Sequence, residues 1–203
     1  MSDSYPEYLK KLENDSEHKN NTSLKMKVDL YNFLIKNYKG NNILELGTFK
    51  GNTALIFADI CKLLGGKVYT VEKDKKCINA AKKIAEKLEL EKYINFINAD
   101  LYKDKWYENI PNVEFSFIDA VHEEKFISMD TNNCLMLNSK FISYHDYGLN
   151  SKKGNEKSGS EVKKFLSNNE NKLKIHSKIG EEKGKWVTTR GTNDIEGVIV
   201  EKI

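Results

Sequence analysis

The chain has 203 residues, a length that suits one domain with a sizeable hydrophobic core. Hydrophobic residues make up 39% of the sequence and charged residues 31%, and 33 basic against 30 acidic residues leave a net charge of +3. This balance argues against the concentrated basic face of a nucleic-acid-binding protein. No stretch approaches the roughly 18 apolar residues that a membrane-spanning helix needs.

The N-terminal residues differ in character from the rest of the chain. Residues 1–22 are polar and charged and lack the apolar stretch of a signal peptide, so we predict a polar arm at 1–22 and a single domain at 23–203. The three cysteines are widely spaced and form no CxxC pattern, which favours buried thiols in a reducing compartment. We therefore expect a cytoplasmic protein with neither a nucleic-acid nor a membrane partner. Assembly into a homo-oligomer through the arm or an edge strand stays open.

After the arm, helical and extended patterns alternate. Apolar residues recur at helical spacing from Leu24 to Tyr38 and predict a helix that ends near Gly40. Strands then alternate with helices, which predicts a parallel sheet with helices on both faces. The predicted strands are 42–47, 67–72, 93–98, 113–119 and 139–145, the predicted helices are 51–64, 75–89 and 122–137, and a short helical or irregular stretch covers 101–110.

The pattern changes after Asp146. Residues 148–159 are rich in Lys, Gly, Ser and Asn and are predicted to form a loop, and the capping-box spacing from Ser158 to Glu161 predicts that a helix begins there. Strand-like runs at 172–179, 185–189 and 195–202 have no helices between them, so they should form an antiparallel edge. The predicted fold class is α/β, with a mostly parallel sheet and an antiparallel C-terminal edge.

The first predicted strand leads into a turn with two glycines, Gly47 and Gly51. A glycine turn at this place lets the backbone approach a ligand closely, and Glu72, at the tip of the next strand, could accept hydrogen bonds from a ribose diol. A dinucleotide-binding turn would carry a third glycine between these two, where this chain has Phe49 and Lys50. Glu45, just before the turn, would repel a pyrophosphate but could bind an ammonium group. The turn therefore favours S-adenosylmethionine over NAD and disfavours an NAD-type oxidoreductase.

With these features the chain resembles class I S-adenosylmethionine-dependent methyltransferases. It is most similar to small metal-dependent O-methyltransferases, including those that act on sugar hydroxyls of macrolides. The resemblance covers roughly residues 25–202 and implies a Rossmann-like, seven-stranded sheet and S-adenosylmethionine as cofactor. It rests on the segments ILELGTFKGNTA, VYTVEKD, INAD, FSFIDAVHEEKF and SKFISYHDYG. The cofactor-binding residues that it implies are Glu45, Gly47, Thr48, Gly51, Asn52, Thr53, Glu72, Asp100, Leu101 and Asp119.

A second group of polar residues follows two other strands. Asp119 and His122 come after the strand at 113–119, and His145 and Asp146 come at the end of the strand at 139–145. The carboxyl ends of parallel strands are where open α/β sheets bind ligands, so these side chains could converge. Asp119, His145 and Asp146 could hold a divalent ion, Mg²⁺ or Mn²⁺, with the histidine favouring Mn²⁺, Fe²⁺ or Zn²⁺.

The resemblance also implies roles in catalysis. In the similar sugar O-methyltransferases the Asp-x-x-His pair, here Asp119 and His122, supplies a metal ligand and a general base. The ligands after the next strand are usually both acidic there. His145 takes the first of those places, which leaves open whether it binds metal or whether Asp146 alone does.

The predicted activity is O-methylation of a small-molecule hydroxyl, in a sugar or glycoside, with assistance by a divalent metal. A bound metal would lower the pKa of an aliphatic hydroxyl, and a neutral His122 could take its proton. Two alternatives remain: a catechol-type phenol as acceptor, and a non-catalytic methyltransferase-like domain that binds a partner through the arm or the helix at 24–38.

Overall fold

The protein was described from a computed structural model that covers residues 5–12, 22–153, 156–157, 160–182, 187–188, 191–193 and 195–203. Its strands in chain order are β1 (Asn42–Leu46), β2 (Val68–Glu72), β3 (Ile94–Asn98), β4 (Val113–Ile118), β5 (Phe141–His145), β6 (Leu149–Lys153), β7 (Glu156–Lys157), β8 (Leu173–Glu182), β9 (Val187–Thr188), β10 (Gly191–Asn193) and β11 (Ile195–Lys202). Its α-helices are α1 (Glu7–Leu12), α2 (Leu24–Asn37), α3 (Asn52–Leu64), α4 (Lys75–Lys87), α5 (Glu124–Met136) and α6 (Glu161–Ser167). Short 3-10 helices lie at Glu91–Tyr93 and Trp106–Asn109.

Seven strands form the central sheet, in the order β3-β2-β1-β4-β5-β11-β8. The first five strands in chain order pair in parallel, while β11 runs antiparallel to both β5 and β8. The predicted fold, a Rossmann-like and mostly parallel sheet with an antiparallel C-terminal edge, is therefore confirmed. Since β11 runs backwards, its first residues lie beside the last residues of β5, where Gly197 pairs with His145.

Apolar residues on the two sides of the sheet build two separate cores, as expected for a sheet covered on both faces. One core packs α2 and α3 on the sheet and includes Tyr31, Phe57 and Phe115. The other packs α5 and α6 on the sheet and includes Tyr144 and Phe165. Every residue of β4, in the middle of the sheet, is buried. Both faces being covered, ligands can approach mainly at the carboxyl ends of the strands.

Local sequence signals account for where several helices begin. Ser23 precedes α2 and accepts a hydrogen bond from the Met26 amide, and Asp74 does the same for α4 with the Lys76 amide. Ser160 caps α6 by accepting from the Lys163 amide. The predicted helix at 122–137 is shorter in the structure, where α5 spans Glu124–Met136. His122 therefore lies in the loop before the helix.

A second, small sheet contradicts two predictions about the C-terminal third. The segment 148–159 was expected to be a loop, but β6 and β7 lie within it, in a four-stranded sheet of order β7-β6-β10-β9. The strand predicted at 185–189 contributes β9 to this sheet and not to the edge of the main one. Backbone hydrogen bonds between strands form these pairs, and a polar composition does not prevent them. The intervening residues 154–155, 158–159, 183–186 and 189–190 lie outside the described residues.

Part of the N-terminal segment packs on the domain. Tyr5 and Leu9 are buried against the core that holds α2 and α3. The Tyr8 hydroxyl donates a hydrogen bond to Asp59 of α3, and the Tyr31 hydroxyl donates to the same carboxylate at 2.8 Å. Residues 13–21 lie outside the described residues, and the domain boundary at residue 22 stays a prediction.

Cys61, Cys77 and Cys134 are free thiols. None of the helices in the described ranges has both the length and the apolar character that crossing a bilayer requires.

Candidate active site

The turn between β1 and α3 brings the backbone close to the end of β4. Gly47 has a φ of 98°, and a Cβ atom at this position would collide with the backbone carbonyl of Asp119. Gly51 has a φ of 83°, and a Cβ there would lie 2.6 Å from the Cβ of Ala81 in α4. Both positions therefore require glycine, for conformation and for space. The turn that results is tight and packs directly against Asp119 and against α4.

Glu45 lies under this turn as a buried carboxylate, and one of its two oxygens makes no hydrogen bond. Only 1% of the residue is exposed. Its Oε2 accepts a hydrogen bond from the Thr70 hydroxyl, which also contacts the Thr48 hydroxyl, while Oε1 is buried without any hydrogen bond. Burial raises the pKa of Glu45 well above its usual value; the Thr70 hydrogen bond opposes this, and the charges of Asp119 and Glu72 add to it. A bound cation would offset the burial of the carboxylate and its repulsion by Asp119 and Glu72. The site therefore fits a positively charged group.

Glu72 stands at the tip of β2, and two backbone amides hold its carboxylate. Its Oε2 accepts from the Phe49 amide at 3.0 Å and its Oε1 from the Asp74 amide at 2.9 Å. A carboxylate oxygen can accept more than one hydrogen bond, so both oxygens keep capacity for the hydroxyls of a sugar. The first of these bonds ties Glu72 directly to the glycine turn.

The other predicted cofactor residues lie around the same turn or in the loop after β3. Asp100 accepts from the Tyr102 amide at 3.0 Å, and this bond, with the nearby Lys103 ammonium, lowers the pKa of Asp100. Asp100 thus stabilises the turn in which it lies. Leu101 is half-buried and packs against the core that holds α5 and α6. Three further residues complete the predicted set at the start of α3 and just before it, namely the buried Thr48 and Thr53 and the half-buried Asn52.

The second predicted group does converge, next to the glycine turn. The Asp119 amide donates to the Leu46 carbonyl at 2.9 Å, which fixes the end of β4 beside the end of β1. The His122 ring lies with Nδ1 3.3 Å from Asp146 Oδ2 and Nε2 3.9 Å from Asp119 Oδ1. The side chain of Asp119 is 28% exposed, against 14% for His122 and 7% for Asp146. Asp119 is thus the member of the group most open to a substrate, while the Nε2 atom of His122 is buried.

His145 lies deeper, between carboxylates on both sides of its ring. Its Nδ1 is 3.1 Å from Asp119 Oδ1 and 3.5 Å from Asp146 Oδ1, and its Nε2 is 3.4 Å from Glu196 Oε1. Neither nitrogen makes a hydrogen bond of standard geometry, so these are contacts between charges. Burial alone would lower the pKa of His145, but the contacts with Asp119 and Glu196 and the charge of Asp146 outweigh it and raise the pKa well above the usual value.

This arrangement does not fit the metal site that the sequence predicts. The carboxylates of Asp119 and Asp146 face the two histidine rings, so the carboxylates and the ring nitrogens contact one another directly. Within the ranges that the structure covers, no group of three or more His, Cys, Asp or Glu side chains is arranged to hold a metal. Metal ligation by Asp119, His145 and Asp146 therefore stays a prediction.

The comparisons with known proteins give the family. The profile of a family described as O-methyltransferase matches residues 1–165. The chain belongs to this O-methyltransferase family. Among curated proteins, none matches the sequence at a significant level.

Solved structures with the same fold include several O-methyltransferases. TomG from Streptomyces achromogenes, an O-methyltransferase involved in tomaymycin synthesis and solved with SAM, has a TM-score of 0.69 at 14% identity, covering 100% of this chain and 92% of that one. An O-methyltransferase from Bacillus cereus solved with SAH has a TM-score of 0.67 at 17% identity, covering 97% of this chain and 89% of that one. The SAH-bound methyltransferase PaMTH1 of Podospora anserina has a TM-score of 0.69 at 13% identity, covering 98% and 89%. At such low identity these likenesses concern the fold.

The structure of this O-methyltransferase-family chain adds residues that the sequence analysis did not single out. Glu196 of β11 is fully buried and faces His145. Asp130 of α5 is also fully buried and accepts a hydrogen bond from the Tyr102 hydroxyl at 3.1 Å, while the Val121 amide donates to that same hydroxyl at 3.3 Å. In the sequence, the only hint of Glu196 is an acidic residue inside the apolar run from Ile195 to Val200.

Proposed function

We propose that this chain is an S-adenosylmethionine-dependent O-methyltransferase that acts on a hydroxyl of a small molecule, in a sugar or glycoside. The observation that carries the proposal is the buried, unpaired Oε1 of Glu45 beneath a glycine turn. Burying a carboxylate without a partner is unfavourable in free energy, and the ammonium group of a ligand would supply that partner. S-adenosylmethionine has this group at one end and adenosine at the other.

The residues around the turn suit the rest of that cofactor. Gly47 packs directly against the Asp119 carbonyl, which fixes the turn beside the end of β4, and Glu72 is held by two amides at the place where a ribose would lie. Leu101, in the loop after β3, could pack on an adenine ring. The SAM- and SAH-bound neighbours of the same fold support this choice of cofactor.

The cofactor, when bound, supplies a methyl group on a positively charged sulfur: the carbon–oxygen bond forms as the carbon–sulfur bond breaks, and the sulfur keeps that electron pair. The hydroxyl proton must then go to a base. His122 can serve, since its Nδ1 faces Asp146 at 3.3 Å, an arrangement that would place the proton of a neutral ring on Nδ1. Nε2 would then take the proton of the substrate hydroxyl, beside the partly exposed carboxylate of Asp119. Asp146 would stabilise the imidazolium that results.

A sugar hydroxyl is favoured as acceptor by the resemblance of the Asp-x-x-His segment to sugar O-methyltransferases. A catechol-type phenol remains the alternative acceptor. A phenol ionises near pH 10, so it depends less on a base than an alcohol does. A rate that is nearly independent of His122 on a phenol would favour the phenol as the natural substrate.

The proposal is tested by transfer of a labelled methyl group from S-adenosylmethionine to a panel of glycosides and catechols. We expect His122→Gln to lower kcat on a glycoside by about 10²- to 10⁴-fold, the usual effect of losing a general base. Binding of S-adenosylhomocysteine should be unchanged. His176→Gln is the matched control, since His176 packs against Phe33 and Phe141, away from the site. Equal rates for wild type and His122→Gln would contradict the assignment of the base.

The same assay decides on assistance by a divalent metal. Because His145 contacts Asp119 and Asp146 directly, we expect a rate that EDTA does not change. A rate that falls in EDTA and returns with Mn²⁺ or Mg²⁺ would instead support the metal-assisted mechanism predicted from the sequence.

A further inference from the structure

Glu196 is an unusual residue for its place in the fold. It lies in β11, one of the inner strands of the sheet, and none of it is exposed. The rest of its strand from Ile195 to Val200 is apolar or glycine. Carboxylates are almost never fully buried unless they are paired. Its environment should therefore contain the partners that keep it there.

One side of the Glu196 carboxylate is held by backbone and hydroxyl donors. The Ser23 amide donates to Oε1 at 2.7 Å, and the Glu181 amide donates to Oε2 at 3.0 Å. The Ser23 hydroxyl also donates to Oε2. Gly180 makes room for the group, because a Cβ there would lie 2.6 Å from Oε2. The start of α2 and the strand β8 thus hold the carboxylate in one orientation.

The oxygen that accepts from the Ser23 amide, Oε1, also faces the active site. Oε1 lies 3.4 Å from Nε2 of His145, which is itself only 3% exposed. Burial raises the pKa of Glu196, but the contact with His145 and the bonds from Ser23 and Glu181 outweigh it and lower the pKa below its usual value. Glu196 therefore presents to one nitrogen of the ring a carboxylate whose orientation is set by three hydrogen-bond donors.

The two nitrogens of an imidazole lie on different edges of one rigid ring, so fixing one of them directs the other. With Nε2 against Glu196, Nδ1 of His145 lies 3.1 Å from Asp119 Oδ1. Asp119 is the partly exposed carboxylate beside His122. A chain of contacts thus leads from the buried carboxylate of β11 to the group that would face the substrate.

We propose that Glu196 is a positioning residue for methyl transfer: it orients His145 so that the ring holds the Asp119 carboxylate in place beside the His122 base. This rests on the proposed function. Glu196 itself touches neither cofactor nor substrate. Its second connection, to Ser23 and Glu181, offers a purely structural role that the experiment must separate from the first.

Two variants separate these roles. Glu196→Gln keeps the size of the side chain and an acceptor for the Ser23 amide, but it removes the charge that faces His145. Ser23→Ala removes the hydroxyl that donates to Glu196 and that caps α2 through the Met26 amide, at 3.0 Å. It leaves the Ser23 and Glu181 amides that hold the carboxylate, and it leaves the His145 contact. We expect Glu196→Gln to lower kcat by about tenfold or more, which is the usual effect of losing a partner that orients an active-site histidine. The KM for S-adenosylmethionine should change by less than about twofold. Ser23→Ala should lower the unfolding temperature but change kcat by less than about twofold.

A spectroscopic readout keeps the test independent of turnover. With ¹⁵N-labelled histidine, the ring signals of His145, assigned with His145→Asn, should shift in Glu196→Gln and stay in place in Ser23→Ala. Glu196→Asp, which keeps the charge, should recover part of both kcat and the ring signals, and it serves if Glu196→Gln does not fold. The proposal is overturned if Glu196→Gln leaves kcat and the ring signals unchanged, or if Ser23→Ala lowers kcat as much. Ring signals that shift in a protein without methyl transfer would uphold the Glu196–His145 pair while refuting the proposed function.

Discussion

Asp130 shows how burial alone can tune a carboxylate near the site. It is fully buried in α5, its Oδ2 accepts from the Tyr102 hydroxyl, and its Oδ1 makes no hydrogen bond. Burial, opposed by the Tyr102 hydrogen bond, raises its pKa from 3.8 to about 7. The folded protein therefore binds a proton at Asp130 over a pH range in which the unfolded chain does not.

This difference predicts a pH dependence of stability. Because the pKa is higher in the folded state, the contribution of Asp130 to the free energy of unfolding falls as pH rises from about 4 to about 7, by up to roughly 4 kcal/mol, and is constant above. Asp130→Asn cannot ionise and should lack this fall. Urea unfolding of both proteins at pH 5, 6, 7 and 8 measures the difference, with other titrating groups cancelling between them. Parallel curves for the two proteins would show that Asp130 does not titrate in this range.

Site residues differ in how well they can be predicted from the sequence alone. Glu45 was found because it stands two positions before Gly47, inside a recognisable turn. Glu196 was missed because its role depends on which residue lies across the sheet. Nothing in the apolar run around Glu196 tells that His145 and Ser23 face it. The sequence likewise placed His145 among metal donors, and only the contacts reveal that carboxylates face both its nitrogens.

The turn between β1 and α3 is the element on which the cofactor proposal depends most. Gly47→Ala adds a methyl group that would collide with the Asp119 carbonyl and demands a positive φ of an alanine. We expect it to weaken binding of S-adenosylhomocysteine by tenfold or more, since the end of β4 must move away from the turn. Gly65→Ala is a matched control, because Gly65 has a similar φ of 101° but its added Cβ would meet nothing closer than 3.4 Å.

In unfolding experiments, Gly65→Ala should cost about 1 kcal/mol, the usual penalty for alanine at a glycine position with positive φ, and Gly47→Ala should cost more. Calorimetric titration of both variants gives the affinities. Equal affinity in Gly47→Ala and Gly65→Ala would mean that the turn does not need the close approach seen here.

Elements were predictable where their pattern matched a buried face. The stripe of apolar residues in α4, with Ile78, Ala81 and Ala85 buried, follows helical spacing and was found with nearly correct ends. The strands β6 and β7 were missed because all their residues except Leu149 are polar and show no alternation of polar and apolar residues. Such strands pair through backbone hydrogen bonds, which side-chain composition does not report.

The arrangement of the whole sheet explains why the site assembles from distant parts of the chain. The parallel strands β1, β2 and β4 end at the same side of the sheet, so Glu45, Glu72 and Asp119 lie together at the carboxyl ends of these strands. Because β11 runs antiparallel to β5, it begins where the parallel strands end, and Glu196 lies beside the end of β5. The sequence allowed the parallel part to be foreseen from its βα repeats. The partners across the antiparallel edge depend on register, which the repeats do not fix.

The central claim is that the turn over Glu45 binds the amino-acid end of S-adenosylmethionine. Titration calorimetry with S-adenosylhomocysteine tests it on three proteins: wild type, Glu45→Gln, and Glu114→Gln as control. Glu114 is a buried carboxylate that accepts from the Lys39 amide, outside the group of site residues. We predict that Glu45→Gln binds about 10- to 100-fold more weakly, the usual worth of a hydrogen bond to a charged group, while Glu114→Gln binds as wild type does. Unchanged affinity in Glu45→Gln, or a wild-type protein that binds NADH but not S-adenosylhomocysteine, would contradict the account.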